Sequence, residues 1–250
     1  MDIRIATTAD WDAFAAGLND GSLSCEGKTV GLVASIGPIS CSAGTAEHPF
    51  RGIFNGLGHT IDVNLSDNEN SGTAPFRHIA DATIVNLRVT GVGTGGLHCA
   101  GLAGIAQGGT TNRIMQCESE AVVICWGNNG YNITHCGGIL GNATTSDTTI
   151  RNCLFSGAIS NATYATGLIY GWGDAGGVHA IENCLFHGSV SATGVDQLKA
   201  AGGIKVIDNC YCYNTAGYCF CTQAPHVNSW SFDRILSSLG SAWGLSRWLP

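Results

Sequence analysis

Charged residues are scarce in this chain: 11 Lys and Arg and 18 Asp and Glu make up 12% of 250 residues. The net charge of -7 and the shortage of cations exclude the clustered basic footprint that a nucleic-acid surface needs. Long apolar runs are also missing. None approaches the roughly 20 residues that cross a bilayer, so no membrane insertion is expected. The opening Met1–Asp12 lacks the basic and apolar regions of an export signal. Yet the chain is not the charge-rich, weakly hydrophobic kind that stays disordered, because 44% of it is hydrophobic.

Glycine, with 36 copies, and cysteine, with 12, are abundant instead. A chain this long has no need of the disulfide framework that staples mini-proteins, so the placement of the cysteines has to decide their role. That placement is periodic. Ile150-Arg151-Asn152-Cys153-Leu154-Phe155-Ser156-Gly157 returns 31 positions later as Ile181-Glu182-Asn183-Cys184-Leu185-Phe186-His187-Gly188. The anchor Ile-x-(Asn/Gln)-(Leu/Cys) begins at Ile84, Ile114, Ile150, Ile181 and Ile207, with spacings of 30, 36, 31 and 26. A second phrase precedes three anchors: Gly101-Leu102-Ala103-Gly104, Gly138-Ile139-Leu140-Gly141 and Gly167-Leu168-Ile169-Tyr170-Gly171. A glycine followed by alternating apolar residues comes after the anchor, as in Gly157-Ala158-Ile159.

Each repeat thus offers about three short strands separated by turn residues, and short strands at a fixed long period predict an all-β solenoid. Within Ile-x-Asn-Cys, strict alternation cannot send both Ile and Cys inward. A turn or bulge beside the Asn resolves the conflict. Stacked coils then place Ile and Cys in inward columns, while each Asn can bond its counterpart above and below. A solenoid also needs its ends covered. Thr7-Thr8-Ala9-Asp10 reads as a capping box for a helix burying Trp11, Phe14, Ala15 and Leu18. Ser231 reads as the N-cap of a second helix presenting Phe232, Ile235, Leu236 and Leu239, stopped by Gly240.

The stretch Phe50-Arg51-Gly52-Ile53-Phe54-Asn55-Gly56-Leu57-Gly58-His59-Thr60-Ile61 resembles the F-x-G-x-F-D-G-x-G-H-x-I signature of GLUG-type β-helix domains in bacterial surface proteins. Thr8 to Gly31 resembles that family's opening helix and first strand. Pro75-Phe76-Arg77-His78-Ile79 with Ala82-Thr83-Ile84 resembles its next coil. Asn55 stands where the family usually has Asp, and the cysteine load is unusual. The resemblance implies a right-handed parallel β-helix with short helical caps at both ends. It also implies an extracellular or cell-surface location, as one part of a larger multidomain protein. On this reading residues 1–250 form one domain, with cap helix and first strand in 1–31, coils in 32–222 and a C-terminal cap in 223–250. No catalytic residues come with the resemblance, since the signature is structural.

Cys117, Cys153, Cys184 and Cys210 recur at one place in the repeat and predict a column of buried thiols. The spacing of about 4.8 Å between stacked coils would also admit disulfides. Two Cys-x-Cys pairs, Cys210/Cys212 and Cys219/Cys221, flank a turn and could converge on zinc, form two disulfides or pack reduced. No cofactor is otherwise called for. Trp126, Tyr131, Tyr164, Tyr170 and Trp172, with His187, are candidate ligand-binding residues, because flat rings beside polar groups hold sugars. Stacking of equivalent positions would place Trp126 and Trp172 on one face. Loop packing is the plainer role for these rings. Asp147, Asp174 and Asp196 are the carboxylates that an enzyme would draw on, whereas His59 lies within the structural signature and reads as packing.

The residues and the resemblance together point to a non-catalytic, adhesin-like module that binds a polysaccharide or host glycan. A polysaccharide lyase or glycosidase on the same scaffold is the alternative, and a structural spacer the third.

Overall fold

A computed structural model describes residues 1–67, 71–126, 134–143, 145–162, 165–167, 170–173, 176–192, 204–213 and 230–240. It is a parallel β-solenoid. Three sheets of 11, 10 and 2 strands run along it, and every strand pair among the described residues is parallel.

The anchor residues form the spine of the first sheet. Ile3, Val30, Phe54, Ile84, Ile114, Ile150, Ile181 and Ile207 are register partners in sequence, one per coil. From Val30 to Ile150 each is at most 1% exposed. Each fully buried aliphatic side chain is worth about 1.5–3 kcal/mol, so repetition of the phrase supplies the cohesion between coils.

The expected turn after each anchor is present, and its form is specific. Asn86, Gln116, Asn152, Asn183 and Asn209 all adopt left-handed backbone, with φ between 48° and 55°. Asn tolerates this region better than most residues, which explains its recurrence. The corner reverses the alternation, so Leu87, Cys117, Cys153, Cys184 and Cys210 point inward as the anchor Ile does. The expected bond between counterpart Asn side chains is present from Asn209 to Asn183 (2.8 Å), while Asn86 bonds Asn55 (3.4 Å), which is the register partner of Val85 and not a corner residue. Gln116 interrupts the run, and the buried Oδ1 of Asn152 has no hydrogen-bond partner among the described residues.

The column cysteines carry reduced thiols. Each sulfur lies 3.2–3.3 Å from the carbonyl oxygen two residues back and 3.4–3.7 Å from the anchor carbonyl of the preceding coil. Burial pushes the Cys153 and Cys184 thiols well above their ordinary range.

Helix α1 (Thr8–Asn19) has the capping box read from sequence, with Thr7 and Asp10 bonded reciprocally. It seats Trp11 and Phe14 among Phe50, Phe54 and Phe76, with ring centroids 4.9–6.4 Å apart. Phe50 and Phe54 of the signature are therefore core residues. Gly52 between them, at φ 122°, passes so close to the Cys25 carbonyl that any Cβ would collide. A strand that the sequence pattern does not reveal, Ile3–Ile5, precedes α1 and pairs with Thr29–Leu32. Three residues are too few to show a period.

Helix α2 (Phe232–Leu239) begins at Ser231, whose Oγ accepts from the Arg234 amide at 3.3 Å. Its Ile235 and Leu239 pack with Leu154, Leu185, Tyr211, Tyr213 and Trp230. Leu154, Leu185 and Tyr211 are register partners next to the inward row Phe155, Phe186 and Cys212, and so face outward. The helix thus covers an outer apolar row of the second sheet at its C-terminal end.

Candidate functional site

Along one flank, the residues after Pro75 and the Gly-Leu-x-Gly phrases form short strands stacked on one another: Phe76–Ile79, Ala103–Ala106, Leu140–Ala143 and Tyr170–Gly173. Register places His78, Ile105, Asn142 and Trp172 in one row across four coils. Just upstream, Ala100 bridges Gly137, which sets His98 beside His135 and Cys99 beside Cys136. Alternation makes the histidines half-buried and the cysteines fully buried. Small residues permit the close stacking. A Cβ on Gly141 would come within 2.5 Å of the His98 carbonyl oxygen.

The result is a continuous stack of rings. His98 and His135 have centroids 4.7 Å apart, with Nδ1 to Nδ1 at 3.0 Å, so one ring donates where the other accepts. Trp172 lies on His135, 4.9 Å away and within 7° of parallel. The Asn142 Nδ2 is 3.2 Å from both ring nitrogens of His98. Asn142 is only 4% exposed, yet its Oδ1 has no hydrogen-bond partner among the described residues, and neither does His78 Nδ1. A buried amide oxygen without a partner costs about 1–3 kcal/mol, so this flank holds polar capacity that the fold leaves unused.

The electrostatics favour neutral rings at His98 and His78. Burial, followed by the charges His135 and His78 would carry, pushes His98 down to about 3. Burial and the Arg77 guanidinium push His78 down to about 4. Arg77 is itself paired with Asp67. Neutral imidazoles offer both donors and acceptors beside a flat indole, an arrangement suited to hydroxyl-bearing rings.

Among the described candidate side chains, Trp172 joins this stack. Trp126 is 63% exposed and follows Cys125, the register partner of Gly95 in the second sheet, with its amide bonded to the Gly95 carbonyl. Trp126 and Trp172 are therefore not equivalent positions. They belong to different sheets, and the strand His135–Gly137 lies between them along the coil. Similar dipeptides, Trp-Gly, fall at different points of the repeat, which is why the expected single face does not form. His187 is elsewhere again, 5.1 Å from Tyr213 in the second sheet and lowered in pKa by burial. Tyr170 supplies backbone pairing opposite Leu140. Tyr131, Tyr164, Asp174, Asp196, Cys219 and Cys221 lie outside the described residues.

Asp147 serves the backbone, its carboxylate accepting from the Val178 amide of the next coil at 2.8 Å. Asp81 does the same for Thr111, at 2.9 Å, two coils before Asp147. This repeated bond accounts for the position without acid–base chemistry. Cys212 is disulfide-bonded, and Cys210 is a free thiol in the column. The expectation of four converging sulfurs therefore does not hold for Cys210, whose sulfur is turned inward by the left-handed Asn209. Among the described residues, no group of three or more His, Cys, Asp or Glu is arranged to hold a metal ion.

His98, His135, Asn142 and His78 are site residues that the repeat pattern does not mark. A signal for two of them exists in Leu97-His98-Cys99-Ala100 and Thr134-His135-Cys136-Gly137, where a His-Cys pair precedes each Gly-(Leu/Ile) phrase.

No protein-family model matches the chain. No curated protein matches it either. Among solved structures, a Bacteroides ovatus protein described as a candidate immunoglobulin A1 protease is similar, with a TM-score of 0.57 and 16% identity. The match covers 85% of this chain and 75% of that one. At this identity the likeness shows the fold alone.

Proposed function

We propose that this chain is a non-catalytic, adhesin-like module of a bacterial surface protein, related to GLUG-type domains, that holds a neutral glycan or host glycan on the flank of its solenoid. The observation that carries this reading is the ring stack of His98, His135 and Trp172 on the flank of the solenoid. A sugar ring packs its C–H face on an aromatic surface and takes its hydroxyl hydrogen bonds from neutral donors and acceptors. The signature at Phe50–Ile61 supports a bacterial surface setting, and the solved neighbour supports the solenoid scaffold. The enzyme alternative loses support at Asp147, whose carboxylate serves the backbone.

The test is a panel of plant, bacterial and mucin polysaccharides, following bound protein and newly released reducing or unsaturated ends together. Binding without release is expected. Trp172→Ala should weaken it at least tenfold, and Trp126→Ala should show whether the exposed indole extends the site. Release of ends would establish an enzyme instead. Binding unchanged by Trp172→Ala in a folded protein would remove the flank as the site.

A further inference from the structure

Beneath the imidazole stack lie three fully buried cysteines from three different segments, each 0% exposed and each a free thiol: Cys99, Cys125 and Cys136. Cys99 and Cys136 sit on neighbouring coils, with the Gly137 amide bonded to the Cys99 carbonyl at 3.0 Å. Cys125 ends the strand Val122–Cys125 of the second sheet and reaches the same spot from around the corner of the coil. Its Sγ is 3.2 Å from the Gly96 carbonyl, in the turn that leads to Cys99. Its register partner Gly95 stands so close to Cys99 that a Cβ there would lie 3.0 Å from the Cys99 Sγ. The column thiols Cys117, Cys153, Cys184 and Cys210 differ, because they occupy equivalent positions on stacked coils and their Cα–Cβ directions run parallel. A disulfide needs a dihedral near 90° across its sulfurs, which skewed side chains from different strands supply more readily than parallel ones.

We propose that Cys99, Cys125 and Cys136 form an oxidisable triad that takes one intramolecular disulfide, always through Cys125, to Cys136 or to Cys99. Cys125 is the first of the three to ionise: the thiols of Cys136 and Cys99 donate to its sulfur and lower its pKa, whereas Cys99 and Cys136 are raised. The thiolate is the attacking species in disulfide exchange. With a small-molecule disulfide such as oxidised glutathione, the Cys125 thiolate attacks one sulfur and expels a glutathione thiolate, leaving a mixed disulfide. The second cysteine's thiolate then attacks the Cys125 sulfur and expels the other. Two electrons pass from the protein to glutathione, and the two cysteine protons end on the two released thiols. A bridge to Cys136 ties together the ends of the segment that carries Trp126 and His135; a bridge to Cys99 fixes the turn that carries His98.

Because the sulfurs are buried, the experiment refolds the full chain from urea in reduced and oxidised glutathione. Free thiols are then blocked with N-ethylmaleimide and the digest mapped by mass spectrometry, a readout independent of any glycan. Cys125 is expected in a disulfide with Cys136 or Cys99, while Cys117, Cys153 and Cys184 are alkylated. The bridged form should melt higher by on the order of 5 °C. Cys125→Ala should lose the bridge, whereas Cys99→Ala and Cys136→Ala each keep one. If Cys125→Ala does not fold, the double variant Cys99→Ala with Cys136→Ala must show Cys125 alkylated. Full alkylation of Cys125 in folded wild-type protein at the most oxidising ratio would overturn the proposal. Bridges within the column instead of the triad would do so as well.

Discussion

Gln116 is the misfit of the corner row, and replacing it with Asn should stabilise the protein. Its φ of 53° lies in the left-handed region, which costs an ordinary L-residue about 1–2 kcal/mol and Asn less, so the backbone gain is about 0.5–1 kcal/mol. An amide of Asn length at position 116 would also lie within the side-chain run, next to the Asn152 Oδ1 that has no hydrogen-bond partner among the described residues. One recovered hydrogen bond is worth about 1 kcal/mol, for a total near 1.5–2 kcal/mol. In a chain of this size that corresponds to a rise in melting temperature of about 3–8 °C. Thermal unfolding followed by circular dichroism measures it, with urea midpoints as a second readout. Asn183 provides the reverse experiment. Asn183→Gln gives up both the backbone preference and the 2.8 Å bond from Asn209, whereas Asn183→Gly keeps the backbone preference and loses the side chain's bonds, about 1 kcal/mol for the one from Asn209. A melting temperature for Gln116→Asn equal to or below wild type, or Asn183→Gly as damaging as Asn183→Gln, would refute the account of the corner.

Acid should weaken the fold before any carboxylate matters. His98 and His78 are neutral in the folded chain, with pKa values near 3 and 4, but take protons below about 6.5 once unfolded, so stability is complete above 6.5 and is lost as pH falls toward those folded values. The loss between pH 6.5 and 4.5 is on the order of 2 kcal/mol after screening of partly exposed rings is allowed for, and unfolding midpoints at the two pH values would reveal it. Equal midpoints would contradict it. Asp147→Ala should cost about 1 kcal/mol through the lost bond to the Val178 amide and leave glycan binding unaltered; a loss of binding would restore Asp147 as a functional residue.

The coils were legible in the sequence because one coil can be laid on the next. Ile150 must meet Ile114 and Ile181, and the conflict between Ile150 and Cys153 demands a corner at Asn152, where the backbone is indeed left-handed. The cap helix at Thr8–Asn19 was legible for a different reason, since Thr7 and Asp10 satisfy orphan amides within a few residues of each other. The flank was not. His98 and Asn142 are 44 positions apart and Trp172 another 30, so nothing local marks their convergence. The pairing of Trp126 with Trp172 failed because resemblance between dipeptides does not guarantee the same point on the coil.

The sequence by itself determined the solenoid, its inward columns of Ile and Cys, its Asn corners and its first cap, all consequences of short-range periodicity and turn chemistry. Only the tertiary structure decided which residues face one another across coils: the imidazole–indole stack, the thiol triad beneath it and the outer row covered by α2. Those contacts depend on loop lengths that differ from coil to coil, with anchors 26 to 36 residues apart, and so on a register that no single repeat contains.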